Sequence, residues 1–233
     1  AFTAVLGVEG VALGLLAGPL GAAYVRLLYL FQDLFARWTR VPIWLKPAIA
    51  GVTVGVVGIV LPGVFGVGYD VIGALLTGQT MALRLIMALL VAKLLLTPIS
   101  IAGGFPGGVF APALFIGATL GAAFGDVAAR LFPAADIAPP AFAMVGMAAV
   151  LASAVHAPLT AVILLFEMTN DYRIILPLLF AVAVSLTISR RLSPDSVYTL
   201  GLARKGIRIE RGRDVDVLEA LPPFLTGGSM ITR

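Results

Sequence analysis

The stretch Ile101–Pro112, IAGGFPGGVFAP, packs four glycines and two prolines into twelve residues and opens a long apolar run. Glycine lets a chain turn sharply and lets another group come close to the backbone. Pro112 falls in the first turn of the helix that follows, where a missing N–H costs little. The pattern predicts a helix N-terminus, reached through Gly107 and Gly108, with free amides on Gly108, Val109 and Phe110 facing a cavity. Such a terminus carries roughly half a positive charge and offers ready donors to an anion. Inside a membrane, irregular backbone survives only where it lines a cavity or is buried in protein. Neutral dipoles there can replace an ion's water yet release it, as a fixed Lys or Arg would not. Gly and Pro are also common in membrane helices, so the same residues suit a plain re-entrant turn.

Other residues with chemical potential are few. Cysteine is absent and His156 is the one histidine, which rules out thiolate sites and a multi-histidine metal centre within the chain. Ser153 and His156, three apart, could meet on a helix, but no oxyanion-hole glycine setting surrounds Ser153. A short-range polar contact is the expectation, and no enzymatic activity is expected. Glu167 ends an apolar run beside the polar stretch 168–171, which favours a structural role over transport. Lys93 and Arg84 could draw anions to a vestibule, although snorkelling of their charges to an interface is the favoured expectation. Tyr198, near a membrane boundary, reads by itself as an interfacial anchor.

These residues must be positioned by apolar helices. The 233 residues are 60% hydrophobic and 12% charged, with a mean hydropathy of +1.06. A soluble domain carries about twice that share of charge, so the chain is expected to be a multi-pass integral membrane protein in contact with lipid. Weakly charged windows at 11–24, 47–67, 86–124, 141–166 and 174–189 support this, yet several are too short or too interrupted for the roughly 20 residues of a straight crossing. Helices are predicted at about 5–36, 47–61, 81–98, from the Gly-rich break to about 130, then 141–153, 158–169 and 173–190, with a short one near 195–204. Residues 63–80 suit a re-entrant or interfacial piece. Glycines recur every four residues at 10/14/18, 51/55 and 117/121/125, predicting close helix contacts. The basic residues sit at helix ends and in the tail, so the net charge of +4 does not point to nucleic acid. The last 43 residues hold twelve charged residues, and the positive-inside rule reads the cluster from Arg204 to Arg213 as a cytoplasmic tail; Arg37, Arg40 and Lys46 ask for the same side, so loop charge alone does not fix the topology.

GGFPGGVFAPALFIGATLGAAFG resembles the signature of the CLC chloride channel and transporter family at the helix carrying its central anion site. MVGMAAVLASAVHAPLTAVILLFEMTNDYRIILPLL resembles the family's next block, in the same order, and VLPGVFGVGYD and the Gly-rich first helix also fit. The resemblance spans nearly all of residues 1–205. It implies an all-α polytopic membrane fold of the inverted-repeat type with broken and re-entrant helices, of which this chain is the second half plus the last helix of the first. It implies chloride transport as a voltage-gated-type channel or an H+/Cl− exchanger, with chloride as cargo and no cofactor. Amides after the paired glycines would hold the anion, here Val109 and Phe110. SPDSVYTLGLARKG resembles the region that supplies a tyrosine hydroxyl ligand, here Tyr198. Both features resemble the chloride-type branch rather than the fluoride-selective one.

The resemblance further implies a homodimer with a pore in each subunit, with the first helix and the 158–190 region matching the segments that form its interface. The family's N-terminal half supplies a serine in a GSGIP-like motif and a gating glutamate in a G(K/R)EGP-like motif, and neither occurs here. Ala1 is not a Met and the chain is apolar by Val5, which leads to the expectation of a missing N-terminal portion. Residues 1–203 are therefore expected to be a partial transmembrane region, and 204–233 a linker toward a CBS-type domain. The alternative is an incomplete, non-transporting membrane fragment with a structural or regulatory role.

Overall fold

The computed structural model describes residues 2–39, 41–133, 138–169 and 174–204. Among them the secondary structure is helical, in the order α1 (Phe2–Arg37), α2 (Leu45–Val60), a 3-10 turn (Pro62–Val64), α3 (Tyr69–Leu76), α4 (Leu83–Ala102), α5 (Phe110–Leu131), α6 (Pro139–Val155), α7 (Pro158–Thr169), α8 (Ile175–Leu192) and α9 (Thr199–Arg204). The chain divides into two compact units, 1–197 and 198–233. The basic cluster beyond Arg204 and the linker expected at its end lie outside the described residues.

Four of these helices are long and apolar enough to cross a membrane: 9–37 within α1, then α4, α5 and α8. Helices α2, α6 and α7 are apolar but have only 16, 17 and 12 residues. At 1.5 Å per residue they reach about 18 to 26 Å, short of a bilayer core of roughly 30 Å. A helix this short, once inserted, leaves at least one end within the apolar layer, where protein must satisfy its free backbone groups. The segment at 63–80 resolves into the 3-10 turn and the two-turn helix α3. Helix α4 does not stop at Pro98 as predicted but continues to Ala102. Proline removes one hydrogen bond, but ending a helix in an apolar setting would strand several, so the helix runs on.

The glycine spacing explains how the helices pack. A methyl group at Gly10, Gly14 or Gly18 would stand 3.1, 2.8 and 2.8 Å from the carbonyl oxygens of Pro177, Ala181 and Ser185. Both series climb by four, so α1 and α8 run parallel at backbone contact. Gly121 and Gly125 meet Ala143 and Pro139, a descending series, so α5 and α6 run antiparallel. The pair in α2 behaves differently: Gly51 touches only the Phe105 ring, and Gly55 has nothing within 4 Å. Spacing alone could not separate a packed glycine face from an open one.

The glycine face of α1 is thus used inside the chain and is not free to contact a second copy. Serines join the same helices. The Ser185 hydroxyl donates to the Ala149 carbonyl at 2.9 Å and that of Ser189 to the Ser153 carbonyl at 2.7 Å. Ser153 in turn donates to Val150 at 2.8 Å and Ala17 at 3.3 Å. Each hydroxyl satisfies itself on a neighbouring carbonyl, as burial in an apolar bundle requires.

Candidate anion site

The Gly-rich segment contains two structures back to back. Its first half closes α4. The N–H of Gly104 donates to Ile101 at 3.1 Å and that of Phe105 to Ser100 at 3.2 Å, a Schellman arrangement. This requires the φ of +100° at Gly104, where a side chain would be strained. Gly103 is in right-handed helical conformation, but its missing Cβ makes room for Ala50 of α2.

The second half, Phe105–Gly108, is exposed and leads to Val109, the residue that precedes α5. No side chain caps this terminus. Among the described residues no backbone carbonyl accepts from the amides of Gly108, Val109, Phe110 or Ala111. Pro112, third in the helix, contributes no N–H. The start of α5 therefore presents a run of unused donors with the positive end of a 22-residue helix dipole behind them. A Cβ at Gly108 would meet nothing within 4 Å, and one at Gly107 only the Ile101 side chain at 3.8 Å. Packing does not demand glycine at either position, and the space in front of them is open.

A cavity of about 410 Å³ adjoins this terminus; its walls include Gly107, Gly108, Ala111 and Pro112 together with Lys93 and Ser100. Of the three residues with predicted free amides, Gly108 is among its walls, while Val109 and Phe110 are half-buried beside it. Side chains of successive residues turn by about 100° around a helix axis, but the first-turn N–H groups all point along that axis, so the three amides still gather at one terminus.

Lys93 also departs from expectation. Rather than snorkelling, it is buried, with Nζ donating to the carbonyls of Val64 at 2.9 Å and Gly66 at 2.7 Å. The ammonium also lies 5.0 Å from the Phe115 ring centre. The irregular backbone after the 3-10 turn exposes carbonyls that need donors, and Lys93 supplies them. Arg84 is exposed at the start of α4.

Two tyrosines that the sequence reading did not single out bond to distant backbone carbonyls, one of them at the candidate site. Tyr24 of α1 is fully buried and its hydroxyl donates to the Val109 carbonyl at 3.2 Å. Tyr29 donates to the Val197 carbonyl at 2.7 Å, while the Val197 N–H donates to Ala154 at 3.0 Å. The available signal was a phenol within an apolar helix, where the hydroxyl must find a partner. Gly107, Gly108, Val109, Phe110 and Pro112 come together at one terminus. Tyr198 belongs to the second unit, directly ahead of α9, and is half exposed. Glu167 is exposed on α7, and His156 caps α6 in left-handed conformation with φ of 59°.

The family described as voltage gated chloride channel matches residues 8–190, more than three quarters of the chain. The chain belongs to this family. As a CLC chain it is 40% identical over 196 residues to a putative chloride channel protein ClcB-like of Ralstonia nicotianae, covering 82% of this chain and 44% of the relative. It is 34% identical over 195 residues to the H(+)/Cl(−) exchange transporter ClcA of Klebsiella pneumoniae, covering 82% and 41%. Among solved structures, a slow cyanobacterial Cl−/H+ antiporter aligns with a TM-score of 0.67 at 28% identity, covering 84% of this chain and 46% of that one. A eukaryotic CLC transporter aligns with a TM-score of 0.73 at 25% identity, covering 85% and 35%. The fold is the all-helical CLC fold, and the chain spans less than half the length of these relatives.

Proposed function

We propose that this chain forms part of the membrane domain of a chloride-transporting CLC protein, either a channel or an H+/Cl− exchanger. The observation that carries the reading is the uncapped N-terminus of α5, whose free amides lie among helices able to cross a membrane. Gly108, Val109 and Phe110 would donate to a dehydrated anion, with Gly107 leaving the approach open, Pro112 fixing the helix start and the Tyr198 hydroxyl as a further donor. Dipoles and one hydroxyl bind chloride without a formal countercharge, which suits rapid release. The anion is cargo, and the reading needs no cofactor and no catalytic group.

The resemblance of the 158–190 region to the family's interface segments supports a homodimer, and Leu159 and Ile163 of α7 and Leu176, Leu179 and Phe180 of α8 are exposed apolar residues within it. The basic tail supports a cytoplasmic C-terminus. A second reading, that these residues alone do not transport, is separated from the first by the experiment below.

Chloride efflux from proteoliposomes containing the full-length protein tests the function. Chloride-dependent flux is expected, and its absence would sink the transport reading. Flux from the full-length protein but none from the 233 residues would bear out the second reading for this chain.

A further inference from the structure

The backbone of the candidate site is gripped by a side chain from α1, 85 residues earlier in the chain. The Val109 carbonyl that accepts from Tyr24 belongs to the same peptide group as the Phe110 N–H. That group is planar and trans, so carbonyl and N–H point in opposite directions and turn together. The carbonyl also accepts from the Ala113 N–H at 3.2 Å, so it is held from two directions. The Tyr24 bond is long for O–H···O, but the ring that carries it is fully buried in α1 and has no room to swing away.

Two effects follow from elementary chemistry. The Phe110 N–H cannot rotate away from its direction without breaking the bond to Tyr24. A carbonyl that accepts hydrogen bonds also polarises its peptide group and makes the attached N–H a stronger donor. We infer that Tyr24 is a positioning residue of the anion site, aiming and strengthening the Phe110 amide without touching the anion. The inference rests on the reading of the α5 amides as anion ligands. It adds a residue from α1, on the opposite side of the peptide from the ion, as a determinant of affinity.

The test uses the full-length protein and chloride binding by calorimetry. Tyr24→Phe keeps the ring and removes the donor. Its Kd for chloride is expected to rise about three- to tenfold, the effect of one neutral hydrogen bond. Ser185→Ala removes another buried hydroxyl bond, on α8, and is expected to lower the unfolding temperature while leaving Kd unchanged. This separates positioning from general stability. Replacing Tyr24 with 3-fluorotyrosine, close in shape but a stronger donor, is expected to lower Kd. Unchanged Kd in both Tyr24 variants, with chloride still bound by the unmodified protein, would overturn the inference. If Tyr24→Phe does not fold, an unchanged Kd for the fluorinated protein overturns it alone. No chloride binding by the unmodified protein would instead remove the amide site, and the inference with it.

Discussion

Gly117 of α5 and Gly146 of α6 meet backbone to backbone, so that a methyl group on either would run into the carbonyl oxygen of the other. A Cβ at Gly117 would also stand 2.6 Å from the Met147 Cα. Gly117 lies about two turns into α5, so this contact fixes the axis along which the N-terminus points. The direction of the candidate anion site is set below the site, where no ligand reaches.

Gly117→Ala and Gly146→Ala should each destabilise the fold by about 2 to 3 kcal/mol, since backbone cannot yield as a flexible side chain would. Gly55→Ala is the contrast. With open space around it, that change should be neutral or stabilising by up to about 1 kcal/mol through helix propensity. Thermal unfolding in detergent distinguishes them, and equal behaviour of the three would disprove the packing argument.

The glycines of the broken segment should separate by role. Gly104→Ala forces a side chain into the left-handed region and should cost about 1 to 2 kcal/mol in stability. Gly108→Leu enters open space and should leave stability within about 0.5 kcal/mol. It should, however, raise the chloride Kd by about tenfold or more by obstructing the amides. Calorimetry paired with unfolding curves reads both effects.

Lys93→Met leaves the carbonyls of Val64 and Gly66 without their donor and should destabilise by about 2 to 4 kcal/mol. Lys93→Arg, which keeps charge and donors, should cost less. Had Lys93 merely reached for an interface, both substitutions would be close to neutral in unfolding assays.

Tyr198→Phe should raise the chloride Kd by about tenfold if its hydroxyl donates to the ion. An interfacial anchor would tolerate the change, because phenylalanine keeps the ring. Tyr29→Phe should act more weakly, since Val197 retains its N–H bond to Ala154. Chloride titration of the full-length protein orders the three forms.

Much of this architecture is legible in the sequence, because apolar periodicity and four-residue glycine spacing are local properties. The α1 and α5 glycines announced close contacts, and the start of α5 followed from GGVFAP. What stayed hidden depends on partners distant in sequence. Gly55 has the same spacing as Gly14 but no neighbour, and Lys93 looked like a snorkelling residue because the carbonyls it binds lie 27 and 29 residues earlier. Tyr24 reads as one more aromatic in an apolar helix until Val109 is placed opposite its hydroxyl.

The parallel contact of α1 with α8 has a consequence for how the protein is made. Its last bond, from the Arg26 guanidinium to the Leu192 carbonyl, joins residues 166 positions apart. At a synthesis rate of about 5 to 20 residues per second, the glycine face of α1 must wait roughly 8 to 30 seconds for its partner to leave the ribosome. Throughout that interval the groove that will receive α8 is open to lipid or to an insertion factor. Assembly is therefore expected to finish by the docking of α8 into a waiting groove, and truncation before residue 177 should leave α1 inserted but unlocked.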